Sequence, residues 1–152
     1  MISRMDAPGY HPSWTQRRAN AILTRLLGKG KGPSFMRLLT VHGRTTGRAR
    51  TTPVVPVFDG DRAWVVSPFG EVAWVRDARA TGRIELARGG DDRTYAAREL
   101  APEEAVPVLR RYLALPARFF VRRYMKAEAT SPDDALVAEA ERAPVFELTP
   151  VA

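Results

Sequence analysis

Apolar residues recur at helical spacing in Ala19, Ile22, Leu23, Leu26 and Leu27, with Arg17, Arg18, Thr24 and Arg25 mainly on the other side. This is the signature of a basic amphipathic helix. Ser13 and Gln16 are spaced as a capping box at its start, and Gly28 ends it. Residues 28–33, Gly-Lys-Gly-Lys-Gly-Pro, then read as a flexible basic connector. The pattern next becomes strand-like over Phe35–Val41 and Thr52–Phe58, the second with an edge or bulge at Pro56. Asp59-Gly60-Asp61 is a hairpin turn into a third strand, Arg62–Ser67. Trp74–Thr81 reads as a short helix closed by Gly82, and Arg83–Arg88 alternates as a strand. Gly89-Gly90-Asp91-Asp92 turns the chain into a fifth strand, Arg93–Leu100.

Helices follow. Pro102 suits a first helical position, and Ala105, Val106, Leu109 and Leu113 form a stripe. A second helical run is expected over Ala117–Ala127, and Ser131-Pro132-Asp133-Asp134 starts a third. Val145–Leu148 is a closing strand. The order is dominated by hairpins, which predicts an α+β fold with a mainly β core: an antiparallel sheet or barrel with helices outside. The expected division is an N-terminal part, residues 1–33, followed by the barrel domain, 34–152.

Charge sharpens the picture. The 152-residue chain carries a formal +7, and ten of its 24 basic residues but one of its 17 acidic residues lie between Met1 and Arg50. The excess positive charge is therefore confined to the first third, where it attracts an anion: a charged cofactor, a lipid surface or nucleic acid. The amphipathic helix has two readings, a cover for the domain's own core or a peripheral contact of residues 13–31 with an anionic membrane. No long apolar run marks a leader or a membrane span, so a cytoplasmic location is the expectation.

The most pointed chemistry is the connection between the first two strands, Gly43-Arg44-Thr45-Thr46-Gly47-Arg48-Ala49-Arg50-Thr51-Thr52-Pro53. Three guanidinium groups, four hydroxyls and glycine-flanked amides suit a phosphate or carboxylate. A solvated turn is the competing reading.

Other chemistry is missing. The chain has no cysteine, which excludes disulfides, thiolate metal sites and cysteine nucleophiles. His11 and His42 have no metal-ligand spacing, and neither lies near a Gly-x-Ser-x-Gly motif. His42 reads as a strand-end residue, and no Walker loop is present. An enzyme built from these parts would take its reactivity from an organic cofactor.

Leu38 to Pro53, with its Gly43-Arg44-Thr45-Thr46-Gly47-Arg48 core, resembles the signature of the deazaflavin-dependent nitroreductases. Asp59-Gly60-Asp61, Val65-Val66-Ser67 with Gly70, Trp74-Val75-Arg76-Asp77-Ala78-Arg79-Ala80 and Pro144-Val145-Phe146-Glu147-Leu148 resemble further family segments, in order. The resemblance implies a split β-barrel of the FMN-binding-like type and coenzyme F-420 as cofactor, whose phosphodiester and oligoglutamate tail are anionic. It implies a phosphate end at Arg44, Thr45, Thr46, Gly47, Arg50, Thr52 and Pro53, with Arg48 and Thr51 in the same loop. Ser67, Gly70, Trp74 and Asp77 would lie toward the ring system or its side chain.

Three departures stand out. Asp77 occupies a position where the family usually has Asn, which puts a negative charge near the cofactor. The Ser67–Trp74 link is short and lacks a lysine. Arg44-Thr45 replaces Arg-Lys, a loss for which Arg48 compensates. The implied activity is hydride transfer from the reduced deazaflavin to a small electron-poor acceptor, a quinone, enone or nitro compound. Tyr112 and Tyr124 are candidates for substrate contact or proton donation, with burial in the core as the competing role.

The alternatives are a non-catalytic carrier of flavin, haem or lipid on the same barrel, an FMN-dependent reductase, and a basic module that binds membrane or nucleic acid. The nucleic-acid version is disfavoured because no nucleic-acid motif occurs. A homodimer is a further expectation, and no metal site is expected.

Overall fold

The computed structural model describes residues 14–116 and 124–151. Four helices and seven strands follow one another along it: α1 (Trp14–Gly28), β1 (Arg37–His42), β2 (Ala49–Val54), β3 (Val57–Asp59), β4 (Arg62–Val66), α2 (Ala73–Thr81), β5 (Arg83–Arg88), β6 (Asp91–Glu99), α3 (Pro102–Ala114), α4 (Asp133–Arg142) and β7 (Val145–Pro150). One sheet holds all seven strands in the order β2-β1-β5-β6-β7-β4-β3, and every neighbouring pair is antiparallel.

That order forces the sheet to curl. β2 and β3 occupy opposite edges, yet only Val55 and Pro56 join them. Two linking residues span on the order of 10 Å, so the edges must approach each other. The Arg37 guanidinium of β1 indeed lies 5.3 Å from the ring centre of Phe58 on β3, across the seam. The result is a split β-barrel.

Proline sets the split. Thr52–Phe58 is not one strand, as the apolar run suggests, but two. Pro56 cannot donate to a ladder, so the chain leaves one edge there and joins the other. β6 likewise begins earlier than expected: Asp91 and Asp92 pair with Arg88 and Ala87, leaving Gly89 and Gly90 as the turn. Gly82 closes α2 in the left-handed region, φ 69°, and donates its N–H to the Ala78 carbonyl.

Residues 117–123, most of the second helical run expected after α3, lie outside the described residues, as do Ser13 and the segment before it. Of the remainder of that run, Tyr124–Ala127, the last three residues, Met125–Ala127, are not helical. The Glu139 carboxylate on α4 accepts the Lys126 and Ala127 N–H groups instead, at 2.8 and 2.6 Å.

The core has two parts. Leu39, Val41, Val65, Val75, Phe146 and Leu148 fill the space between the sheet and α2. Trp64, Val66, Leu109, Tyr112, Leu136 and Val145 fill the space under α3 and α4. β4 therefore buries both faces, which explains its unbroken Ala-Trp-Val-Val run.

α1 packs along β2, β1 and β5. Leu27 is fully buried and its carbonyl accepts the Gly89 N–H at 2.8 Å, whereas Ile22 is 56% exposed. The connector after α1 is tied down. Arg88 donates to the Gly32 and Pro33 carbonyls, both at 2.9 Å, and to Lys31 at 3.4 Å.

Candidate functional site

The β1–β2 loop is closed by its own backbone. Gly43 donates to the Arg48 carbonyl at 2.7 Å, and Gly47 donates to the Gly43 carbonyl at 2.9 Å. The Thr46 hydroxyl accepts the Arg48 N–H, and His42, last residue of β1, donates from Nδ1 to the Gly47 carbonyl at 3.3 Å. Thr45 and Arg48 are exposed at the loop's rim.

Asp77 fastens this loop to α2. Its side chain is 1% exposed. Oδ1 accepts the Arg44 backbone N–H at 3.1 Å and the Arg44 guanidinium at 2.8 Å, while Oδ2 accepts Arg50 Nε–H at 3.1 Å. Burial pushes the carboxyl pKa up. Hydrogen bonds from the Arg44 amide and guanidinium and from Arg50 outweigh that, so it is held below the ordinary value. Asp77 is therefore a carboxylate, and it leaves part of each guanidinium unspent.

Beside Arg50 opens a cleft of about 530 Å³. It is lined by Arg50, Thr52, Pro53, Val54 and Val55, and by Val66, Phe69, Val72, Trp74, Tyr112 and Tyr124. Arg50 and Val55 stand five residues apart on near-extended chain, roughly 16 Å, so the cleft is elongated. Val55 packs against the cluster that holds Tyr112. Asn20 and Leu23, one helical turn apart, add a wall from α1, and Pro33 and Met36 complete it.

The residues singled out in the sequence take different places. Arg50, Thr52, Pro53, Trp74, Tyr112 and Tyr124 line the cleft. Arg44 and Asp77 reach it only through Arg50, and Thr45, Thr46, Gly47 and Arg48 form the loop above. Thr51 is turned to Thr40, hydroxyl to hydroxyl at 3.0 Å. Ser67 is fully buried, and its hydroxyl donates to the Gly70 carbonyl at 2.6 Å, shaping the turn that brings Phe69 to the cleft. Trp74 is 7% exposed and rests on Phe146, ring centres 5.9 Å apart. The Tyr124 ring meets Phe69 edge-on at 4.6 Å.

Tyr112 is 4% exposed and its hydroxyl has no hydrogen bond among the described residues. Burial pushes its pKa up, so it stays a neutral donor. Val54, Val55, Phe69, Asn20 and Leu23 also line the cleft, beyond the residues that the sequence marks for it. The alternation Arg50, Thr52, Val54 and the helical spacing Asn20, Leu23 are the signals that identify most of them.

The donor set fits a flat redox cofactor with an anionic tail. Two held guanidinium groups and a threonine stand beside a mostly apolar slot. Among the described residues no group of His, Asp and Glu could hold a metal ion, and no helix is long and apolar enough to cross a membrane.

The family model described as F420H(2)-dependent quinone reductase matches residues 11–132. No curated protein matches. Among solved structures, one described as a domain-swapped dimer is 18% identical, with a TM-score of 0.56, covering 89% of this chain and 96% of its own. The protein Atu2129 of Agrobacterium tumefaciens is 17% identical, with a TM-score of 0.56, covering 94% of this chain and 60% of its own. The heme storage protein HutZ of Vibrio cholerae is 9% identical, with a TM-score of 0.50, covering 87% of this chain and 89% of its own. At these identities the likeness is one of fold.

Proposed function

Since the chain belongs to the coenzyme F-420-dependent quinone reductase family, we propose that the cleft beside Arg50 is where it reduces a small electron-poor acceptor: a quinone, an enone or a nitro compound. When bound, the reduced deazaflavin supplies a hydride. The protein contributes binding, orientation and the handling of one proton.

Arg44 and Arg50 take the anionic end of the cofactor by charge-assisted hydrogen bonds, and Thr52 adds a hydroxyl. Trp74, Val54 and Val72 offer an apolar surface for the ring system and keep water from it. Holding the two reactants in one narrow slot supplies much of the rate. Tyr112 donates a hydrogen bond to the acceptor oxygen on which negative charge develops, with solvent the final source of the proton. Tyr124 shapes the acceptor side through its packing on Phe69.

One observation carries this reading. A single cleft joins Arg50 of the arginine loop to the buried Tyr112 across apolar wall. The basic α1 contributes Asn20 and Leu23 to that wall, so we assign it to the cleft rather than to a membrane. Pairing of two copies is compatible with the domain-swapped dimer found among its structural neighbours.

Titration of the purified protein with coenzyme F-420, before and after Arg50→Ala, tests the proposal. A loss of about 1.5–3 kcal/mol is expected for one charge-assisted contact. Equal affinity in the two proteins removes Arg50 from the site. Steady-state reduction of menadione by the reduced cofactor then separates an enzyme from a carrier: binding without turnover of any of the three acceptor classes would refute the reductase reading.

A further inference from the structure

We propose that Asp77 is a positioning residue: its buried carboxylate fixes the guanidinium groups of Arg44 and Arg50 so that their remaining N–H groups meet an anionic ligand already oriented. The inference rests on the cofactor reading above and adds how the arginines are made ready for it.

Asp77 itself cannot be a ligand for an anion. It is an acceptor, it is buried to within 1% of its side-chain surface, and both oxygens are occupied from the protein side. The arginines are the opposite case. Arg44 spends one terminal nitrogen and Arg50 spends Nε, while their side chains stay 42% and 54% exposed. Each is anchored at one point and open at the rest.

An arginine side chain loses much rotamer freedom when it closes on a ligand. Here that loss is taken on folding. Arg48 provides an internal contrast: it is exposed, and its guanidinium makes no ion pair among the described residues. The loop thus holds two fixed cations and one loose one. The backbone bond from Arg44 to Asp77 fixes the loop as well as the side chain.

Two roles for Asp77 predict opposite signs. A carboxylate that merely places negative charge near the cofactor weakens binding, and its neutralisation tightens the complex. A carboxylate that positions arginines strengthens binding, and its neutralisation loosens the complex despite the added positive charge. Asp77→Asn separates them. The Asn oxygen still accepts the two donors of Arg44, but its amide N–H₂ then faces Arg50 Nε–H, donor against donor. The Arg50 anchor is lost.

The first measurement uses the free protein. Hydrogen exchange at Arg50 Nε–H, followed by nitrogen-resolved NMR, is expected to be slow in the wild type and about tenfold faster or more in Asp77→Asn. The second is the coenzyme F-420 titration. Kd is expected to rise about tenfold in Asp77→Asn. Arg50→Lys, which keeps the charge and the Arg44–Asp77 pair, serves as a second variant should Asp77→Asn melt early, and it should lose a similar factor.

Because the two residues act as a unit, the double variant should be no weaker than the weaker single. Arg48→Ala should lose less than Arg50→Ala. Unchanged exchange at Arg50, or equal or tighter binding by Asp77→Asn, overturns the proposal. A wild-type protein that fails to bind the cofactor at all overturns the cofactor reading instead, and the exchange measurement still decides whether Asp77 holds Arg50.

Discussion

Gly30 and Gly89 lie backbone against backbone: a methyl group on Gly89 would come within 3.1 Å of the Gly30 Cα and 3.3 Å of its nitrogen. Gly89 also has φ 63°, a region that side chains disfavour. This contact, with the Leu27 carbonyl and the three carbonyls held by Arg88, pins the end of α1 to the β5–β6 hairpin. Because Asn20 and Leu23 of α1 line the cleft, the pin bears on function as well as on stability.

Gly89→Ala should destabilise the protein by about 2–3 kcal/mol, the left-handed cost plus the displaced contact. Gly60→Ala is the control. It has the same φ of 63° with nothing within 4 Å, so it should lose only the backbone term, about 1–2 kcal/mol. Chemical denaturation of both variants measures the difference. Equal losses would mean that the α1–hairpin contact contributes nothing.

Glu139 is the second buried acid, 1% exposed, and it anchors the segment that leads from Tyr124. One oxygen takes the Lys126 and Ala127 N–H groups, and the other pairs with Arg142. Glu139→Gln keeps an oxygen for the two amides and lets the half-exposed Arg142 turn to water, for a loss of about 1 kcal/mol. Glu139→Ala orphans both amides and should cost about 3 kcal/mol or more. Thermal melts rank the two, and a Gln variant as unstable as the Ala variant would refute the amide-anchor account.

The legible part of this fold was its periodicity. β5, α2 and α3 follow from alternation, a glycine stop and a proline start because each buries one face against one partner. The β2–β3 break was not legible in that way. An apolar run reads as one strand, and only the sheet order shows Pro56 moving the chain between edges.

The arginine loop was visible because charge and glycine cluster there in sequence. Its tie to Asp77 was not, since the partner lies 33 residues beyond Arg44 and a lone helical acid carries no local signal. For Ser67 the sequence marks a special strand end, whereas its hydroxyl turns inward to Gly70.

Acid should release the Asp77 clamp. The folded-state pKa is held below the ordinary 3.8, so the carboxylate's contribution is complete above that value and is lost as pH falls through the depressed one. The stability gap between wild type and Asp77→Asn should therefore stay level from about pH 8 to about pH 5 and shrink below about pH 4. Denaturation at a series of pH values gives the gap directly. A gap that widens on acidification would mean that the buried group is protonated in the folded protein.

Tyr112 offers the sharpest separation of chemistry from packing. The residue belongs to the core under α3 and also lines the cleft, and its hydroxyl has no hydrogen bond among the described residues. Removing that oxygen leaves no protein group unpaired and opens no large cavity, so Tyr112→Phe should melt within about 0.5 kcal/mol of the wild type. Arg44 and Arg50, not Tyr112, are assigned to the anionic end of the cofactor, so the affinity for coenzyme F-420 should be unchanged. What the variant lacks is a donor toward the oxygen of the acceptor. If that donor acts where charge develops, kcat for quinone reduction should fall by about ten- to a hundredfold with KM little changed. Burial keeps the hydroxyl protonated, so wild-type kcat should show no alkaline fall assignable to Tyr112 up to about pH 10. A variant with wild-type kcat would return Tyr112 to a packing role and leave Tyr124 as the remaining candidate.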